Sequence, residues 1–373
     1  MNFILSSCHC ACALGRDNAE VFDNYRRGTA PGMRMLDGDV PSRSLRFGLV
    51  PGELPRIDEA EWAMRTNRLL ALSAAALRED FAALVARYGR SRVGVVLGAS
   101  NTGVDEAQVH ITEWLDASAG GAAPKPAGLD FSMIELGTPA EYLRRLVGVE
   151  GPAYTVSTAC SSSGKAFAAA RRLIETGVVD AVITGGVDGR CRFAMNGFHA
   201  LGALAAAECR PLSPDRDGIN LGEGVALFTL ERGRSGVALA GVGETSDAYH
   251  PTAPDPSGAG AERAMRLAMA AAGWTAADVD YVNLHGTGTV ANDAMELKAC
   301  AAVFGTPEIG GDLSAARPLL ESTKALTGHC LGAAGAVEAA LCWLRLRSGD
   351  SVRALSNSFA FGGSNVSVAL ERR

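Results

Sequence analysis

Apolar and polar positions along this chain alternate between short β-branched runs, small-residue turns and Ala/Leu-rich stretches with helical period. Asn2–Ser7 reads as a first strand, and Arg16–Gly28 has helical periodicity with Asp17 as its N-cap. Pro and Gly recur without a period from Thr29 to Ile57, which predicts loops with a short hairpin. Glu59–Gly89 predicts one long helix, and Arg92–Ser100 a buried strand ending in a glycine turn. Small residues over Ala117–Ala127 predict a surface loop, followed by a helix at Pro139–Val147. Next come a buried strand at Tyr154–Thr158, a helix from Lys165 and a strand within Val178–Asp188, the order of a right-handed βαβ unit in a largely parallel sheet.

Beyond the strand in Gly224–Glu231 the order repeats. Strand-forming residues begin again at Val237, a helix covers Ala259–Ala272, and a strand leads to His285. A helix over Asp293–Phe304, a strand, turn and helix from Leu320 to Leu346, and strands near Arg353–Phe359 and Asn365–Glu371 complete the chain. STACSSSGKAFAAARRL and STKALTGHCLGAAGAVEAALCWL share the order strand, small-residue turn, Ala-rich helix, which points to duplication. The halves divide at 1–232 and 233–373.

Composition narrows the class. The 373 residues are 47% hydrophobic and 20% charged, the balance of a well-packed chain rather than a disordered one. A net charge of −6 gives no sign of nucleic-acid binding, and no apolar run is long enough to span a membrane. The first residues lack the features of a signal peptide, so a cytoplasmic location is expected. Nine cysteines without framework spacing point to a reducing compartment. Cys8, Cys10 and Cys12 lie on one face of a strand and read as small buried residues rather than metal ligands.

Candidate chemistry centres on Cys160. It sits at a strand-to-helix turn, where free N–H groups and the helix dipole favour a thiolate and small neighbours leave room for an acyl group. Alone, it would more often be another inert buried cysteine. His285 and His329 each lie in a glycine-flanked turn after an apolar run, where the backbone can approach a ligand closely. Glycine-rich stretches at Gly241 and in LGASNTG complete neither a dinucleotide nor a phosphate-loop pattern.

TACSSS, RPLSPDRDGINLGEG, LHGTG, ESTKALTGHCLGAAGAVEAAL and SNSFAFGGSN together resemble the β-ketoacyl-acyl-carrier-protein synthases of the thiolase superfamily, in the elongating branch with a Cys-His-His site. The resemblance covers nearly the whole chain. It implies a thiolase-like layered αβαβα fold with two facing, similar halves. Cys160 would carry the acyl chain, while His285 and His329 would bind and decarboxylate a malonyl thioester. Lys324 and Glu338 would orient and tune His329. Thr287 and Thr289 would hydrogen-bond the phosphopantetheine arm, and the N–H groups of Cys160 and Phe361 would form an oxyanion hole, with Phe361 also gating the acyl pocket. Asp215, Arg216 and Asp217, by default a solvated charge run, would brace the site.

No resident cofactor or metal is implied, since the phosphopantetheine arrives on an acyl carrier protein. Arg65, Arg68, Arg171 and Arg172 are candidate contacts for that partner, or solvated helix arginines. Met195, Phe198 and His199 line the acyl pocket or form an ordinary apolar helix face. A homodimer or a heterodimer with another synthase subunit is expected. Ala360 stands where the family has glycine and Ser364 where threonine is common, which predicts a stiffer or differently posed gate. His329 argues against thiolases and initiating synthases. The competing function is an auxiliary chain-length-factor subunit, a type that commonly lacks the nucleophile retained here.

Overall fold

The computed structural model describes residues 2–41, 43–119, 121–126, 128–305 and 317–373. The N-terminal half runs β1 (Asn2–Ala11), α1 (Asn18–Arg27), β2 (Met33–Val40), β3 (Arg43–Gly48), α2 (Arg65–Ala76), α3 (Arg78–Tyr88), β4 (Val93–Gly98) and α4 (Val104–Ser118). It continues through α5 (Thr138–Val147), β5 (Ala153–Val156), α6 (Ser162–Glu175), β6 (Ala181–Asp188), α7 (Arg192–Ala200), β7 (Leu221–Gly222) and β8 (Gly224–Gly233). The second half contains β9 (Val237–Ser246), α8 (Ala259–Ala272), β10 (Tyr281–Asn283), α9 (Val290–Phe304), β11 (Leu319–Glu321), α10 (Lys324–Thr327), α11 (Ala334–Ser348), β12 (Arg353–Phe359) and β13 (Ser364–Arg372).

Ten strands form one sheet in the order β11-β10-β12-β13-β9-β1-β8-β6-β4-β5. Within each half the first strand pairs antiparallel with the last, the last pairs antiparallel with the fourth, and the remaining pairings are parallel. The halves are thus topological duplicates, joined where Ile4 and Leu5 of β1 meet Ala238 and Val237 of β9. Helices α6 and α11 touch strands of both halves and form the middle layer. α2, α3 and α5 cover the outside of the first half, while α8 packs on the second with α9 against it, giving the five layers of the thiolase-like α/β fold.

Small residues let the central helices meet. A Cβ on Gly335 would lie 2.9 Å from the Gly164 nitrogen, so the two helix N-termini approach backbone to backbone. Around them, Phe167 packs edge-on against Phe228 at 5.2 Å, with Val337, Leu341 and Val366 in the same buried cluster. Burying each such side chain contributes about 1.5–3 kcal/mol. Cys8, Cys10 and Cys12 are free and buried in this cluster.

Several expectations change. The helix anticipated over Glu59–Gly89 starts only at Arg65 and breaks at Leu77 (φ −100°, ψ 14°), which lets Leu70, Leu77 and Phe81 share one core. α4 was not anticipated because Val109, Ile111 and Leu115 stay exposed and give no buried stripe. The loop expected over Ala117–Ala127 starts after Ser118, with Gly120 and Ala127 outside the described residues. β5 is an edge strand rather than a buried one, and Tyr154 is partly exposed. Asp17 does cap α1, its carboxylate accepting from the N–H groups of Ala19 and Glu20.

Candidate active site

The chain leaves β5 and turns sharply into α6. Ala159 takes the left-handed conformation (φ 52°), Cys160 follows, and Ser161 caps the helix. The turn is stitched by its hydroxyls: the Thr158 N–H donates to Ser162 Oγ, and Ser161 Oγ donates to Ser364 Oγ at 2.9 Å. In the second half the corresponding connection runs from β11 through α10 to α11 and carries His329. Its backbone is clamped by the first half, the His329 N–H donating to the Asn220 carbonyl and the Gly222 N–H to the His329 carbonyl.

His329 Nε2 lies 2.9 Å from Cys160 Sγ. The His285 ring stands across that of His329 at 82°, with centroids 5.4 Å apart. One ligand-type atom from each of Cys160, His285 and His329 lies within 4.8 Å of the others, the one group among the described residues whose spacing could hold a metal ion. All three residues are buried. They sit at the end of a cavity of about 360 Å³ whose walls include Phe198, Phe361, Thr287 and Thr289.

Burial governs the charges here. It pushes the Cys160 thiol up to about 12, with Lys324 pulling the other way and Asp188 and Glu338 adding to the rise. The thiolate expected from the helix N-terminus is therefore outweighed in the resting site. Burial, together with the Lys324 charge, holds both histidines well below the usual imidazole range, so both are neutral. Lys324 and Glu338 form a fully buried, close ion pair. Burial raises the Glu338 carboxyl to about 7, and Lys324 opposes that rise.

Two acids that sequence reading passed over hold the His285 turn. Glu296 accepts from the N–H groups of His285 and Gly286 at 2.8 and 2.6 Å, and Asp293 accepts from those of Gly288 and Leu212. Arg216 braces the same turn, donating to the carbonyls of Ser213, Thr289 and Val290. Thr287 and Thr289 pair through their hydroxyls at 3.0 Å. No local signal marks either acid, because α9 also carries Asn292 and Lys298 and reads as an ordinary mixed helix.

Family models decide the relationship: the β-ketoacyl synthase N-terminal domain matches residues 52–235 and the C-terminal domain residues 237–356. The chain belongs to the β-ketoacyl synthase family. It is 39% identical over 267 residues to 3-oxoacyl-[acyl-carrier-protein] synthase 2 of Rhizobium meliloti (strain 1021), an alignment spanning 60% of this chain and 62% of that protein's length. The enzyme of that name from Staphylococcus aureus (strain COL) is 30% identical over 96% of this chain and 95% of its own. Among solved structures, a chain of the Xenorhabdus doucetiae complex of the ketosynthase ApeO with its chain length factor ApeC superposes with a TM-score of 0.91. It is 37% identical, over 100% of this chain and 98% of that one.

In this chain the turn carrying Phe361 differs from the expectation. Ala360 is extended (φ −103°, ψ 160°), so its Cβ costs nothing; the left-handed residues are Gly362 and Gly363. Phe361 stacks on Phe198 with centroids 5.6 Å apart, and the N–H groups of Ala360 and Gly362 on either side donate to the carbonyls of Ser364 and Pro251. Of the three residues considered for the pocket, Phe198 lines it, Met195 is buried in a separate cluster, and His199 is not among the lining residues.

The arginines considered for a partner are committed within the chain. Arg65 is bound bidentately by the buried Glu223, which also accepts from the N–H groups of Val50 and Arg190. Arg68 donates to the carbonyls of Leu54 and Pro55. Arg171 and Arg172 pair with Glu175 and Glu244. Cys330, although adjacent to His329 in sequence, turns its thiol towards the Glu223 carbonyl.

Proposed function

We propose that this chain is a β-ketoacyl-acyl-carrier-protein synthase, joining a Cys160-bound acyl chain to malonyl carrier protein with loss of CO₂ in fatty-acid or polyene/polyketide-type biosynthesis. The observation that carries this reading is the contact of Cys160 Sγ with His329 Nε2, with His285 alongside, at the end of a cavity. His329 takes the thiol proton as sulfur attacks the incoming acyl thioester. The thioester bond to the carrier breaks, an acyl bond to Cys160 forms, and the proton leaves with the carrier thiol. A malonyl thioester then occupies the cavity with its carbonyl oxygen against His285 and His329. Neutral imidazoles donate hydrogen bonds to that oxygen as CO₂ departs and enolate charge develops there. The enolate carbon attacks the acyl carbonyl, whose oxyanion is received by the N–H groups of Cys160 and Phe361. Collapse breaks the bond from the acyl carbon to Cys160 Sγ, releases the extended β-ketoacyl chain on its carrier and leaves a thiolate that takes a proton from solvent to restore the thiol.

Lys324, paired with Glu338, orients and tunes His329 in this scheme, and Thr287 and Thr289 bind the phosphopantetheine arm. No resident metal or redox group takes part. The chain divides functionally into a nucleophile half, residues 1–232, and a histidine half, residues 233–373. It works in the cytoplasm with an acyl carrier protein, as a homodimer or paired with another synthase subunit. The outer strand β5, with Tyr154 partly exposed, is the edge open to such a partner. Among the described residues no helix is long and apolar enough to cross a membrane.

A chain-length-factor-like role is the second reading, favoured by the likeness to a chain of a ketosynthase and chain-length-factor complex. Intact-mass measurement after incubation with acyl carrier proteins of several chain lengths separates the two. The synthase reading expects an acyl adduct that Cys160→Ala abolishes, followed by malonyl-dependent elongation. An absence of any adduct with every chain length would overturn it in favour of the auxiliary role.

A further inference from the structure

Asp188 ends β6 completely buried, in a chain segment to which no catalytic part has been given. Its carboxylate accepts four donors from two separate turns. From the turn after β4 come the Ser100 N–H at 2.9 Å, the Ser100 hydroxyl at 2.7 Å and the Asn101 N–H at 2.9 Å; from the turn after His329 comes the Gly332 N–H at 2.6 Å. These turns cannot hold themselves. Each has a non-glycine residue in the left-handed region, Thr102 at φ 52° and Leu331 at φ 51°, a conformation that persists only where surrounding contacts enforce it. The fit at Gly332 is close, since a Cβ there would fall 2.7 Å from Asp188 Oδ2 and 2.8 Å from the Ala99 carbonyl carbon.

We propose that Asp188 is a positioning residue for the condensation, holding the turn that follows His329 so that Nε2 meets Cys160 Sγ. The inference rests on the synthase reading and adds a member to its site. Location gives Asp188 a second effect. Its buried carboxylate adds to the rise that burial imposes on the Cys160 thiol, beside Glu338 of α11 and against Lys324 of α10. The carboxylate that grips the His329 turn thus also favours the thiol, in the direction that burial already sets.

Asp188→Asn tests both effects, because the amide keeps the shape, loses the charge and turns an NH₂ group towards backbone N–H donors. Carrier-bound malonyl decarboxylation is expected to fall by about 10²-fold, the scale of a misplaced catalytic group. Alkylation of Cys160 by iodoacetamide, read by intact mass at about pH 9, is expected to rise, by about tenfold for each unit the thiol falls. A merely structural role would lower decarboxylation in proportion to the folded fraction measured by circular dichroism and, because unfolded chains expose their thiols, would add label at the other buried cysteines as well as at Cys160; multiple adducts of that kind overturn the inference. Gly332→Ala serves if the first variant does not fold. It keeps the carboxylate's charge but, meeting Asp188 Oδ2, forces the turn and the carboxylate apart, so decarboxylation should drop with no rise in alkylation; unchanged decarboxylation overturns the inference. If the wild-type chain does not decarboxylate malonyl carrier protein, the synthase reading fails instead. A crystal structure of D188N then decides, with the Nε2 to Sγ separation either lengthened, as expected, or still near 2.9 Å, against the inference.

Discussion

The Cys160 turn and the His329 turn stand at the same place in the two duplicated halves, between the third strand and the helix that enters the middle layer. Both contain a left-handed non-glycine residue, Ala159 and Leu331, and both open onto helices that touch at Gly164 and Gly335. They differ in their supports. Hydroxyls of Thr158, Ser161 and Ser162 hold the first turn, whereas the second rests on charges: the Lys324 and Glu338 pair, and Asp188 at Gly332. One scaffold motif used twice thus brings Cys160 Sγ and His329 Nε2 face to face. The charges gather on the side that must keep an imidazole neutral.

The largest expected effect tests that charge asymmetry. Lys324→Met should cost up to about 3–5 kcal/mol in urea unfolding at alkaline pH, because Glu338 is left buried without its cation. The deficit should shrink as pH falls towards about 7, because loss of Lys324 lifts the Glu338 carboxyl above that value and the variant then buries the protonated acid. The sign follows from the raised carboxyl: its contribution is present at low pH and lost as pH rises through the folded value. Adding Glu338→Leu should recover most of the stability without restoring decarboxylation. A double variant as unstable as the single one would remove the ion pair as the cause.

A smaller effect probes where the two helices meet. Gly335→Ala should cost about 1–3 kcal/mol, since its Cβ meets the backbone of Gly164. Gly164→Ala meets a methyl of the stiff, buried Val366 side chain at 2.5 Å and should cost at least as much. Thermal melting of the pair measures the order, and a stabilised Gly335→Ala would mean the helices lie farther apart. Smallest of all is Ala159→Gly. Relief of the left-handed strain and the added freedom of the unfolded chain nearly offset, so unfolding free energy should change by less than about 1 kcal/mol. A larger gain would show that the first turn stores more strain than the second.

Most elements were legible because their apolar periodicity coincides with burial. α8 and β12 fall where the pattern predicts, and the repeated strand, turn and helix order anticipated the duplication. Legibility failed where periodicity and burial part company. Leu77 continues a helical pattern in sequence but breaks the helix so that both segments face one core. α4 buries little of its apolar side, and Tyr154 reads as interior although β5 lies at the edge. At the site, residues in recognisable turns could be named in advance. Asp188, Glu223, Asp293 and Glu296 could not, because each acts by gripping backbone that lies far away in sequence or in a turn of its own half.

By itself, the sequence determined the two-fold order of elements and the residue types able to carry acyl-transfer chemistry, because both are written in local pattern and motif. Tertiary structure alone decided the charge states and the commitments of the polar side chains. Cys160 is held as a thiol, both histidines are neutral, and Arg65 is tied to Glu223 because each depends on how much water is excluded and which distant charge is brought near. Those quantities arise only in the folded chain, the Arg65 pair within the first half and the charges around Cys160 where the two halves meet.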